Sequence, residues 1–155
     1  MSVRALLMAA AGASTSAPAY RYWRIYFQAV VGSDRVYIAE IELRGSVGGS
    51  DLTTPSTPAT ASTYEFGYGP EKAIDNNIYS PFFWVTPYDV TTNQWACFDM
   101  ASAVVVAQVA IMPAVNACPK DFIIQGSSDG VNFTDVKAFT NVTGWTNNTW
   151  KTFDL

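Results

Sequence analysis

The sequence predicts an all-β fold, two antiparallel sheets packed face to face, and three observations carry that prediction. Short segments alternate apolar and polar residues with the period of two that marks a half-buried strand. Gly, Pro, Ser, Thr and Asn recur between them as turn punctuation. Nothing longer than a single turn reads as helix. At 155 residues the chain is expected to form one domain around one core.

Taken in order, residues 1–19 carry one positive charge, an apolar run from Ala5 to Ala11, and small residues up to Pro18. On paper this imitates a short secretory leader. The stretch also suits a docking arm: so short a helix is marginal in water without a surface to dock on. We expect a neighbouring protomer or another protein to hold it; the alternative is that it folds back on its own sandwich. Residues 20–31 alternate, with Trp23, Ile25 and Phe27 on one face and Arg24, Tyr26 and Gln28 on the other. Gly32-Ser33-Asp34 then turns the chain into a returning strand over residues 35–44, so that 20–44 is predicted to be a hairpin. Residues 45–63, rich in Gly, Ser, Thr and Pro, read as an extended polar linker before a body spanning 64–155.

Within the body, Pro70 opens a single turn over residues 71–74 at a position where its missing N–H costs nothing. Asp75-Asn76-Asn77 follows, and these side chains bond locally and tolerate left-handed backbone angles. Aromatic residues crowd the flanking loops. Strands are predicted over 94–100, 104–112, 121–125, 131–139 and 149–155, with Ala96, Phe98 and Met100 sharing a face, Val105, Val109 and Ile111 another, and Phe122 facing with Ile124. Asp129-Gly130 marks a tight turn between two of them.

Composition narrows the function. The net charge is −4 and Lys and Arg are thinly spread, so no basic stripe exists to meet a phosphate backbone and nucleic acid is excluded as a partner. No apolar stretch is long enough for a membrane span. There is no histidine, which removes the usual general base and the commonest zinc ligand. No His-paired nucleophile and no phosphate-cradling glycine loop is present, and we expect no enzyme. Cys97 and Cys118 are read as two free core thiols, cysteine being among the most buried residue types. The N-glycosylation patterns at Asn132, Asn141 and Asn147 carry no weight in a chain this rich in Asn and Thr.

Ala73-Ile74-Asp75-Asn76-Asn77, then Ser80, Trp84-Val85-Thr86, Gln94-Trp95 and Phe98-Asp99-Met100, together resemble the core signature of the discoidin, or coagulation factor 5/8 type C, family. The run from Pro119 through Phe122 and Ile124 to Asp129-Gly130 resembles that family's strand and turn. Arg21-Tyr22-Trp23-Arg24-Ile25 and Ile38-Ala39-Glu40-Ile41-Glu42-Leu43 are similar to the strands that close such a domain at its C-terminus, yet here they come first. The resemblance therefore implies a circularly permuted domain, closed within one chain, or a hairpin that completes a neighbour by swapping; we expect permutation. Two departures stand out: Asn76 replaces the family's glycine after Asp75, and Ala101 replaces the glycine of its Asp-Leu-Gly corner.

The resemblance implies a galactose-binding-like jelly-roll β-sandwich and a structural calcium ion. Its ligands would be side-chain oxygens of Asp75 and Glu40, with Asn77 and Ser80, and the carbonyls of Lys72 and Ala39; hard cations take several oxygens of this kind. It also implies carbohydrate binding, for which Tyr64, Phe66, Tyr68, Tyr79, Phe82, Phe83 and Tyr88, with Asn76, supply rings and amides. The competing reading of these rings is an assembly contact. The permuted order resembles discoidin-like modules among bacteriophage structural proteins. The expected function is accordingly a non-enzymatic virion surface protein, a capsid or tail decoration held to other virion proteins or to copies of itself by the arm. The alternative is a carbohydrate-binding adhesin or receptor-binding module attaching to host-surface glycans.

Overall fold

The computed structural model describes residues 17–79, 81, 83–114 and 117–155. Most of the expected arm, together with Ser80 and Phe82 from the expected site residues, lies outside them. The described residues form an all-β sandwich. Strands β1 (Ala19–Val31) and β2 (Tyr37–Arg44) come first, and β3 (Ala59–Ala61) and β4 (Trp84–Val85) are short. The body is completed by β5 (Gln94–Val105), β6 (Gln108–Pro113), β7 (Cys118–Ser127), β8 (Thr134–Phe139) and β9 (Lys151–Asp154). One sheet has the order β3-β5-β1-β7-β8 and the other β4-β2-β6-β9, and every strand pair is antiparallel.

The inner faces follow from the alternation. Trp23, Ile25 and Phe27 of β1 are buried and meet Ile41 and Leu43 of β2, Phe98 of β5, Val109 and Ile111 of β6, and Phe122 and Ile124 of β7. Burying each such side chain contributes about 1.5–3 kcal/mol. Aromatic pairs tie the sheets together: Phe27 meets Trp84 at 5.7 Å between ring centroids, and Phe122 meets Phe153 edge-on at 4.9 Å.

Four expectations are corrected. β1 and β2 do not form a hairpin: β1 is already paired with β5 on one edge and β7 on the other, so the chain after Val31 crosses to the opposite sheet. The stretch 45–63 is more than a linker. It contributes β3 to the edge of the first sheet, and Asp51 fastens it to β2 by accepting the Leu43 N–H at 3.0 Å. The expected strand 104–112 is divided, because β5 continues to Val105 in one sheet and β6 begins in the other; Val105 is exposed and Val106 takes the buried place. The strand expected from residue 131 begins at Thr134, since Asp129 Oδ1 accepts the N–H groups of both Val131 and Asn132 at 2.8 Å and holds them in the turn. These bonds hold the Asp129 carboxyl well below the usual carboxylate range. Gly130 supplies the positive φ of that turn, 75°. Cys97 and Cys118 are free and buried, and burial pushes the Cys97 thiol up to about 11.

Ala101 sits at φ 61°, in the region a side chain enters at a cost. The corner is fixed because Asp99 Oδ1 accepts the Ala101 N–H at 2.8 Å while the same carboxylate is held by Arg21 Nε and Nη2, each at 2.8 Å. The backbone keeps the glycine geometry although the glycine is gone. Ala101→Gly is therefore expected to stabilise the protein by about 1 kcal/mol, since Ala at a positive φ costs more than glycine's added freedom in the unfolded chain; urea unfolding with an unchanged or lower midpoint would contradict this.

Candidate functional site

The loops between strands gather at the end of the sandwich where β2 begins and β6 ends. Val85 of β4 bonds through its N–H to the Tyr68 carbonyl, and its own carbonyl accepts the Glu65 N–H. Trp84 Nε1 donates to the Thr63 carbonyl at 3.2 Å. On the other side Thr86 Oγ1 accepts the Val36 N–H at 2.9 Å and donates to the Val90 carbonyl at 2.6 Å. The short β4 thus fastens the loops 62–69 and 86–90 and the entry to β2 together.

Two of the expected metal ligands meet just behind this end. The 3-10 turn Pro70–Ala73 leads into Asp75, and Asn76 takes the left-handed angle the sequence reading allowed it, φ 62°. This presents the Asn77 N–H to two acids at once: Glu40 Oε1 at 2.7 Å and Asp75 Oδ1 at 2.9 Å. Glu40 is only 2% exposed. Burial, and the like charges of Asp75 and Asp51, push its carboxyl up to about 8. Asn77 enters through its backbone, because its side-chain oxygen accepts the Tyr79 N–H at 3.2 Å and closes its own turn. Ala39 is buried at a break in the β2–β6 register between Ile38 and Glu40; such a bulge takes a residue out of the regular ladder. Among the described residues no three His, Cys, Asp or Glu side chains come together. A cation held here would have two carboxylates and otherwise amide or carbonyl oxygens, a hard, oxygen-only set. A buried Glu40 with a raised carboxyl, next to the half-buried Asp75, fits such a cation, because a positive charge removes the penalty that burial and the neighbouring acid place on Glu40.

The expected carbohydrate residues divide. Tyr64, Phe66, Tyr79 and Tyr88 are exposed, Phe66 at 96% and Tyr88 at 71%, and Asn76 is exposed beside them in sequence. Among the described residues these four rings make no ring–ring contact with one another. Phe83 does not belong with them: it is 7% exposed, packed with Ala39, Val85, Met112 and Ala114 and edge-on to Tyr37 at 6.1 Å. Tyr68 is half-buried against the same cluster. Phe83 and Tyr68 form the floor under the loops.

Two arginines that the sequence reading passed over also stand beside rings. Arg24, on the outer face of β1, stacks on Phe133 with its guanidinium carbon 3.8 Å from the centroid, donates to Gln125 Oε1 at 2.7 Å, and so joins a chain ending at Asp135. Arg35 stacks on Tyr88 at 3.3 Å and is 7% exposed. No local signal marks Arg35 in the sequence, since Tyr88 lies in a loop far along the chain.

A model of the F5/8 type C domain family matches residues 58–155. The chain belongs to that family. Domains of this family are in general non-catalytic modules that bind glycans or other proteins, and no helix among the described residues is long and apolar enough to cross a membrane. No curated protein and no solved structure matches the chain. The matched segment of the F5/8 type C domain starts at residue 58, inside the expected linker, and leaves out β1 and β2, although β1 lies at the centre of its sheet.

Phe83→Ala is expected to lower stability by about 3–5 kcal/mol, the usual cost of emptying a buried aromatic site, read by chemical unfolding. Between pH 4.5 and about 8 folded Glu40 keeps a proton that the unfolded chain has released, so without added metal stability falls as pH rises through that window. Glu40→Gln is expected to flatten that fall in a melting series across pH; an identical slope in the variant would show that another group causes it.

Proposed function

We propose that this F5/8 type C domain is a non-catalytic glycan-binding module that uses the loop end bearing Tyr64, Phe66, Tyr79 and Tyr88. The observation that carries the reading is the contrast between these exposed rings and the packed floor of Phe83 and Tyr68 beneath them. Rings on a rigid base give an apolar platform for a pyranose face, and amides such as Asn76 fix its orientation. In this reading β1 and β2 act as the family's closing strands delivered from the front of the chain, which is how Glu40 reaches the Asp75 turn.

The same reading assigns a structural calcium ion to the Glu40–Asp75 pair. Asp75 and Glu40 would hold it, with carbonyls from Lys72 and Ala39; its role is to fix the turn that leads to Tyr79. A virion-surface setting, with the arm holding a neighbour, is part of the proposal on the sequence resemblance alone.

Glycan-array screening followed by calorimetry tests the site. Phe66→Ala and Tyr79→Ala are each expected to weaken binding at least tenfold, about 1.4 kcal/mol, with an unchanged melting temperature. A wild-type domain that binds no glycan, or variants with the wild-type profile, would overturn the reading. Calcium at millimolar concentration is expected to raise the melting temperature at pH 8 in the wild type and not in Glu40→Gln, since a ligand that binds only the folded state stabilises it by mass action.

A further inference from the structure

A buried arginine is almost always paired, and Arg35 is 7% exposed. Its Nε and Nη2 are closed to solvent and have no hydrogen-bond partner among the described residues. Those two nitrogens form one edge of the guanidinium fork, the edge that matches the two oxygens of a carboxylate. The same molecule shows what this edge takes. Arg21 sets Nε and Nη2 on the two oxygens of Asp99, and Arg44 sets Nε and Nη2 on Glu42 Oε2 at 2.8 and 2.6 Å. Both are more exposed than Arg35, and both are paired.

We infer that the Nε–Nη2 edge of Arg35 is a carboxylate site, and that the glycan taken at the Tyr88 end of the domain is an acidic one bearing a carboxylate on its pyranose ring. This rests on the glycan-binding reading above and adds the chemical class of the sugar.

The surroundings are built for it. Residue 35 bridges to Val90, and Thr86 holds the next residue at both backbone groups, accepting the Val36 N–H with Oγ1 and donating its own N–H to the Val36 carbonyl, so the base of the side chain is fixed. Tyr88 lies over the face of the guanidinium, with the guanidinium carbon 3.3 Å from the ring centroid, and is itself 71% exposed. In this proposal an entering sugar acid moves the exposed Tyr88 ring aside and opens the solvent-closed edge, so that its carboxylate takes the fork of Arg35 and the ring stacks on the sugar. The nearest acid of the chain, Asp34, stands 4.0 Å from Nε with a half-exposed side chain, outside hydrogen-bond reach. It is the internal competitor for the edge.

The test is calorimetry on the whole domain at low salt with methyl galacturonide, methyl glucuronide and a methyl glycoside of N-acetylneuraminic acid. Methyl galactoside and sodium acetate serve as neutral and sugar-free probes. At least one acidic glycoside is expected to bind tenfold or more tightly than the galactoside. Arg35→Gln, and Arg35→Lys, which keeps the charge without the fork, are expected to lower acidic-sugar affinity about 10- to 100-fold, the range for hydrogen bonds to charged groups. Neutral-sugar affinity should fall by clearly less than acidic-sugar affinity in both. Arg35→Lys keeps the test valid where Arg35→Gln fails to fold. Asp34→Asn should leave acidic-sugar affinity equal or higher. Equal affinity for acidic and neutral glycosides would sink the carboxylate site and leave the glycan reading standing. Binding of no sugar at all would sink both. Acetate bound as tightly as the acidic sugars would show that no sugar is recognised. Asp34→Asn destabilised as much as Arg35→Gln, with no acidic sugar bound, would make Asp34 the true partner.

Discussion

Strand β1 is bound on three sides at once. Its edges are hydrogen-bonded to β5 and β7, and its inner face places Trp23, Ile25 and Phe27 in the centre of the core. Because both edges are taken, the chain cannot return beside it, and β2 is forced into the opposite sheet. That crossing decides the rest: β2 pairs with β6, receives β4 on its free edge, and brings Arg35 to the loop end and Glu40 to the Asp75 turn. Sequence distance and spatial distance separate here. The residues that define the loop end come from the front of the chain and from its middle, and the sandwich is what joins them.

The loop end combines two charge problems solved to different degrees. Asp99, half-buried, and Asp129, exposed, have both carboxylate oxygens bonded, and their carboxyls are held low. Glu40 is buried among like charges, and Arg35 is buried with half its fork unused. Burial disfavours a charged group unless it is well paired, and at this end Glu40 keeps one backbone donor and Arg35 a long ion pair with Asp34, less than the acids and arginines elsewhere have. The outer face of β1 makes the comparison: Arg24 is also stacked on a ring, but its Nε donates to Gln125 Oε1, and that amide donates in turn to Asp135.

The alternation of β1, the Asn76 turn and the Asp129-Gly130 turn were legible because each is a local pattern with one physical solution. The hairpin expected over 20–44 was not, since a period of two reports which side chains are buried and says nothing of which neighbour takes each edge. The extent of 45–63 was misread for a related reason: its polar composition hides Ala59–Ala61, whose strand exists only because β5 offers an edge. Among the loop rings, Tyr64, Phe66, Tyr79 and Tyr88 cannot be told from Phe83 by sequence, because aromatic residues serve floors and platforms equally. Arg35 left no trace at all, as its ring partner follows only after three further strands.

The matched segment of the family, residues 58–155, contains β5 and β7 and lacks the strand between them. Cut at that boundary, the first sheet would open along its middle, leaving two facing rows of unpaired backbone groups separated by the width of one missing strand, about 10 Å. Exposed edges of this kind invite pairing with whatever extended peptide is at hand. A peptide covering β1 and β2 added to that fragment is thus a natural donor, and the gap is its template. The seam that follows from the order of the strands makes this domain divisible into two pieces that rebuild one sandwich.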